Sequence, residues 1–197
     1  MGIEDFEKQL AQAEARLKAA QGKRHIGPEY WAAYHQVVVT QRALAAARGE
    51  EHAVPYDLGF VPEAAVSEPT FFQTERACIL TFSAMRELPD GRHEDPGYGL
   101  VELGYCFIAD FSGPNDEGLR RHPLSSKGLQ AYGVYEIVNS SWLKDEVARR
   151  GLDAQAKHKH FFFTFHDSSF QCLAATLRGQ LVPRPFDNVL AEVRKRW

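Results

Sequence analysis

Residues 158–166 read HKHFFFTFH, and the architecture of the whole chain hangs on them. Aromatic and β-branched side chains favour the pleated backbone, so the segment reads as a strand. It is too apolar for a strand with one face in water, which places it centrally in a sheet. Side chains alternate along a strand. One face therefore carries His158, His160, Phe162, Thr164 and His166, and the other Lys159, Phe161, Phe163, Phe165 and Asp167.

Beyond Asp167 two readings compete. As a strand, residues 170–177 complete a hairpin with the aromatic segment. As a helix, Ser168 is the N-cap with Gln171 three residues on, Phe170, Leu173, Ala174 and Leu177 form one stripe, and Gly179 ends it. The strand is preferred because so apolar a neighbour needs a pairing partner. Pro183 and Pro185 then break the chain before a C-terminal helix, 186–197, with Val189, Val193 and Trp197 at helical spacing. Arg194, Lys195 and Arg196 complement the negative end of that helix.

Towards the N-terminus, 132–138 reads as a strand. Asn139, Ser140 and Ser141 supply oxygens to cap a helix over 142–150, which Gly151 stops. Residues 101–111 alternate, with Val101, Leu103, Tyr105, Phe107, Ala109 and Phe111 on one face, and 76–84 alternates likewise. Between these two strands, 86–99 is expected to be a loop, because it holds Pro89, Asp90, Gly91, Pro96, Gly97 and Gly99.

Residues 3–21 set Ile3, Phe6, Leu10, Ala13, Leu17 and Ala20 at steps of three and four, a narrow helical stripe. A connector, 22–27, leads to a second helix that opens at Pro28 and stops at Gly49. Its weak point is the β-branched run Val37, Val38, Val39 and Thr40. The expected organisation is a helical hairpin (1–50), an irregular connector (51–75) broken by Pro55, Pro62 and Pro69, and an α+β domain (76–197). The fold class is α+β: the hairpin packs on or beside a mostly antiparallel sheet of about four to five strands, with a C-terminal helix.

Composition narrows the function classes. Over 197 residues the chain is 44% hydrophobic and 25% charged, with net charge −3. That balance suits a folded globular protein and gives no general attraction to nucleic acid or anionic lipid. No apolar run reaches the length of a membrane span, and the first residues lack a secretory pattern. Cys78, Cys106 and Cys172 have no metal-type spacing and read as reduced core thiols, so a cytoplasmic location is expected. No phosphate-binding loop or dinucleotide fingerprint occurs, and neither cofactor nor metal is expected.

Chemistry points first to the histidine face. If it shares a side of the sheet with Glu102 and Glu136, imidazoles and carboxylates gather into an acid–base cleft. In the competing reading His158 and His160 sit at a solvated strand entrance and His166 occupies a turn, bonded to backbone or to Asp167. His166, Asp167, Ser168 and Ser169 form no triad, because neighbours on a strand point oppositely. The loop 113–128 gathers Asn115, Asp116, Glu117, Arg120, Arg121 and His122, a set able to bind a polar ligand.

Two function classes follow. The first is a binding protein that uses residues 3–48 to meet a second copy or a protein partner and the α+β domain to hold a polar small molecule. The second is a small hydrolase or isomerase acting on a polar small molecule by acid–base or metal-assisted chemistry, using His166 or His160 as acid or base, with Glu102, Glu136 or Asp167 as electrostatic partners and His122 joining from the loop. Convergence of two of these histidines on one carboxylate separates the classes.

Overall fold

The computed structural model describes residues 2–22, 27–88, 92–151 and 157–196. The aromatic segment is strand β8 (Lys159–Thr164), central in a five-stranded sheet. It lies between β7 (Val134–Val138) and β9 (Ser169–Ala174), with β1 (His52–Pro55) and β6 (Ile108–Ser112) at the edges. In a second sheet β4 (Cys78–Glu87) and β5 (His93–Gly104) are central, with β10 (Thr176–Val182) beside β5. The short strands β2 (Val61–Pro62) and β3 (Thr70–Gln73) both pair with β4. Every pairing is antiparallel.

The inner faces of the two sheets close on one core. Phe161, Phe163, Phe165, Phe170 and Cys172 come from the first sheet and its β8–β9 turn, and Leu80, Phe82, Val101 and Leu103 from the second. The rings interlock: Phe163 and Phe170 centroids are 5.8 Å apart, and Phe82 and Phe165 5.5 Å. Full burial of one such side chain contributes about 2–3 kcal/mol. On the outer face of the first sheet, Phe162, Tyr135 and Ile137 meet Leu119, Leu124 and Leu129 of the long loop. On the outer face of the second, Ile79 and Leu100 meet Val189 and Val193 of helix α5 (Phe186–Arg194).

The helical hairpin is formed by α1 (Ile3–Gln21) and α2 (Pro28–Ala47). Along α1, Phe6, Leu10, Ala13, Leu17 and Ala20 are the residues withdrawn from solvent, and α1 packs along α2. In α2, Val37, Val38 and Thr40 are buried, so tertiary packing overrides the weak helix propensity of that run. Helix α2 reaches β1 and the 3-10 turn Ser125–Lys127, which sets the hairpin over one end of the first sheet. Helix α4 (Ser141–Arg150) opens on Ser140, whose Oγ accepts from Leu143 N at 3.0 Å, and ends on left-handed Gly151 (φ 60°).

Three expectations change. The alternating run 101–111 is two strands in different sheets, broken where Tyr105 turns through φ 53° and stands 86% exposed. The expected loop 86–99 is mostly strand, since β5 begins at His93. A Cβ on Gly97 would stand 2.4 Å from Val182 O, and one on Gly99 2.4 Å from the Phe60 ring. Gly99 therefore serves close approach, and Gly97, at φ 104°, combines close approach with a left-handed backbone. The connector 51–75 holds β1, β2 and β3. The segment after Asp167 is strand, as preferred, and Cys172 pairs with Phe161 and faces the core. Connector residues 23–26, loop residues 89–91 and Trp197 lie outside the described residues.

Candidate functional site

The long loop folds back over the outer face of the first sheet and is fixed there by short local structure. Asn115 caps the single turn α3 (Asp116–Leu119), its Oδ1 accepting from Gly118 N at 2.9 Å. Asp116 N donates to His166 O at 3.0 Å, tying the loop to the end of β8. Further on, buried Thr164 donates from Oγ1 to Gln130 O at 2.8 Å and accepts from Gly133 N at 2.9 Å. That bridge holds Tyr132, which adopts φ 59°, at the start of β7.

Together these constraints bring Asp116, Tyr132 and His166 into one network. The Tyr132 hydroxyl donates to Asp116 Oδ2. His166 Nδ1 lies 3.1 Å from the same oxygen and 3.2 Å from the Tyr132 hydroxyl. An Nδ1–H shared between those two oxygens leaves Nε2 as the lone-pair nitrogen. The Tyr132 hydroxyl beside Asp116 holds its carboxyl below the usual carboxylate range, and that carboxylate pushes the phenol up to about 12. The His166 side chain is 45% exposed, so its free edge is open to solvent.

Asp116 and Tyr132 line a cleft of about 610 Å³ between the loop and α2. Opposite them stand Trp31, Tyr34 and His35 of the first turns of α2, and Arg120 lies on the loop side. Trp31 is 58% exposed, far more than a tryptophan used for packing. Its ring sits edge-on to Tyr34 at 6.2 Å and to Tyr30 at 5.2 Å, an aromatic wall held by mutual contact.

The other expected site residues scatter. His160 is buried at 4% exposure, its Nδ1 2.9 Å from Ser140 Oγ and its Nε2 3.1 Å from Gln171 Oε1. The carbonyl-type oxygen of Gln171 can only accept, which assigns the proton to Nε2 and leaves Nδ1 to accept from Ser140. Burial lowers its pKa to about 4, so at neutral pH it is an uncharged structural link between β8, β9 and the cap of α4. His122 packs on Phe162, with centroids 5.5 Å apart, and its Nδ1 accepts from Leu124 N at 3.2 Å. Burial lowers its pKa as well, against a raising effect from Glu51.

Glu136 pairs with Lys159 Nζ at 2.7 Å rather than with a histidine. Glu102 lies in the second sheet, 3.8 Å from Arg196 Nε. Asp167 is 92% exposed and 3.9 Å from His166 Nε2, too far for a hydrogen bond. Neither is His158 a solvated entrance residue: its ring stacks edge-on to Phe107 at 4.8 Å, and its buried Nδ1 has no partner among the described residues. So, of the site histidines proposed from the sequence, His166 is the one that hydrogen-bonds a carboxylate among the described residues, and that carboxylate is Asp116. Tyr132 and Trp31 were not legible as site residues, because one reads as a strand residue and the other as part of a helix stripe.

The Thr164 bridge yields a first prediction. Thr164→Val keeps the shape but strands Gly133 N–H and the Gln130 carbonyl, so urea denaturation should show a loss of roughly 1–3 kcal/mol. Retained stability would mean that the 130–133 segment is held by its other contacts.

Among the described residues no group of three or more His, Cys, Asp or Glu side chains is arranged to hold a metal ion, and no helix is long and apolar enough to cross a membrane. The chain is an α+β protein with two antiparallel sheets, an N-terminal helical pair and a C-terminal helix. No protein-family model, curated protein or solved structure matches it.

Proposed function

We propose that this chain is a binding protein for a small polar molecule bearing a flat ring, taken up in the cleft between α2 and the 113–132 loop. The observation that carries this reading is the pairing of an aromatic wall, exposed Trp31 and half-buried Tyr34, with a fixed polar wall, Asp116 and Tyr132, across about 610 Å³. A ring stacks on the first wall, and its donor groups meet the Asp116 carboxylate on the second. Arg120 adds a cation able to meet an acidic substituent.

Residues 3–48 supply one wall of the cleft, and in the same proposal they offer the surface for a protein partner or a second copy. The α1 stripe is engaged with α2, so that partner meets the exposed apolar groups Ile3 and Trp31 instead. A reducing, cytoplasmic setting suits three free thiols.

A second reading, a small hydrolase or isomerase, is favoured by one observation: Asp116 orients His166 through Nδ1, which leaves Nε2 free to move a proton. It is the weaker of the two, because His160 and His122 do not join that carboxylate.

Native mass spectrometry of the protein as purified from cells tests the binding reading. The wild type should retain a small molecule that a Trp31→Ala/Asp116→Asn variant loses while keeping its fold by circular dichroism. A molecule retained equally by both would contradict it.

A further inference from the structure

The three cysteines, remote from one another in sequence, come together in space. Cys106 follows the turn at Tyr105 that carries the chain from the second sheet to the first, so it reaches both sheets. Cys106 packs against the core cluster that holds Cys78 and Cys172, its Sγ donating to Ile108 O at 3.3 Å, and all three thiols are free. Cys78 and Cys172 are buried, whereas Cys106 is only partly buried. Cys106 and Cys78 also line a second cleft, of about 710 Å³, at the corner between the sheets. Exposed Arg76 and Arg178 line that cleft too, as do Glu75 and Glu102, the latter 3.8 Å from Arg196, so with Arg196 the cations outnumber the carboxylates there.

We propose that Cys106 is a thiol-exchange site for a small anionic disulfide bound in this corner cleft, with Cys78 as the thiol that resolves the mixed disulfide. Arg76 and Arg178 supply the charge that recognises carboxylates on the incoming molecule. Cys78 is the second thiol because it opens β4 beside a turn and shares the cleft, while Cys172 is locked mid-strand between Ala109 and Phe161.

The chemistry balances without a further reactant. Cys106 gives its proton to solvent and attacks one sulfur of R–S–S–R. The S–S bond breaks, a Cys106–S–S–R bond forms, and RS⁻ leaves and takes up a proton. Cys78 then loses its proton to solvent and attacks Cys106 Sγ, forming a Cys78–Cys106 disulfide and expelling the second RS⁻. Two protein thiols are oxidised and one external disulfide is reduced to two thiols.

The neighbouring Cys172 thiol holds the Cys106 pKa below the ordinary thiol value, against the effect of burial, and burial pushes Cys78 up to about 11. Cys106, the less buried thiol, should therefore react before Cys78 at neutral pH.

The test is reaction of the full chain with glutathione disulfide, with acid quenching, alkylation and peptide mass mapping over time. The expected course is early glutathionylation of Cys106, then a Cys78–Cys106 bridge, with Cys172 left free. Cys78→Ser should accumulate the mixed disulfide on Cys106. Arg76→Ala/Arg178→Ala should slow exchange with glutathione disulfide but not with the cationic disulfide cystamine. Even labelling of the three thiols, reaction only in denaturant, or a bridge to Cys172 would overturn the proposal.

Discussion

Phe163→Ala is expected to remove about 3–5 kcal/mol of folding stability, since a fully buried aromatic loses both its transfer energy and the packing around it. Phe163 is 0% exposed and sits where the two sheets meet, its ring 6.3 Å from Phe82, 6.5 Å from Phe165 and 5.8 Å from Phe170. Strands on both sides of β8 confine the site, so collapse into the void is restricted. Domains of this size are stable by about 5–15 kcal/mol, and the variant should unfold at a much lower urea concentration. Phe163→Leu should lose less than half as much. Phe111→Ala, at a residue 44% exposed, should lose about 1 kcal/mol or less. Equal losses at Phe163 and Phe111 would contradict the two-sheet core.

The second large effect is a loss of stability in mild acid that traces to His160. Its pKa is about 4 in the folded protein, against 6.5 for a free imidazole, and the cause is burial first, with His122 adding to it. A histidine held below its unfolded value favours the neutral form. Its contribution is therefore fully present above about pH 6.5 and is lost as pH falls towards 4. Between about pH 7.5 and 5 the linkage amounts to about 2 kcal/mol. His160→Gln lacks the titrating group, so its stability, lower at neutral pH, should change by much less over the same range. The residual slope includes His122, whose pKa is also lowered by burial. Parallel pH profiles for wild type and variant would show that His160 is not held neutral.

Sequence foretold the parts of the fold whose causes are local. The α1 stripe and the Ser140 to Gly151 bounds of α4 follow from periodicity and capping, which need no distant contact. The strand character of 158–166 and of the segment after it follows from the density of aromatic residues. The break at Tyr105 was hidden because alternation continues through it, although the chain changes sheets there. Gly97 and Gly99 read as turn formers; the approach of Val182 and Phe60 explains both, and Gly97 also takes a left-handed φ of 104° within the strand.

The site was legible only in part, for the same reason. His166 was a candidate and Asp116 lay in the polar loop singled out for ligand binding, but their contact spans 50 positions and Tyr132 joins from 34 positions away. His160 carried the expected residue type and the expected face, yet its surroundings make it structural. Periodicity reports which side of a strand a residue occupies and is silent about what covers that side.

Mapping by ¹H–¹⁵N NMR tests the cleft most directly. The labelled protein would be titrated with a panel of small ring compounds bearing hydroxyl, amino or carboxyl groups. Binders are expected whose shift changes cluster on Trp31, Tyr34, residues 116–120 and 129–132, and His166. Binders that map elsewhere, or a panel without any that reaches this cleft, would contradict it.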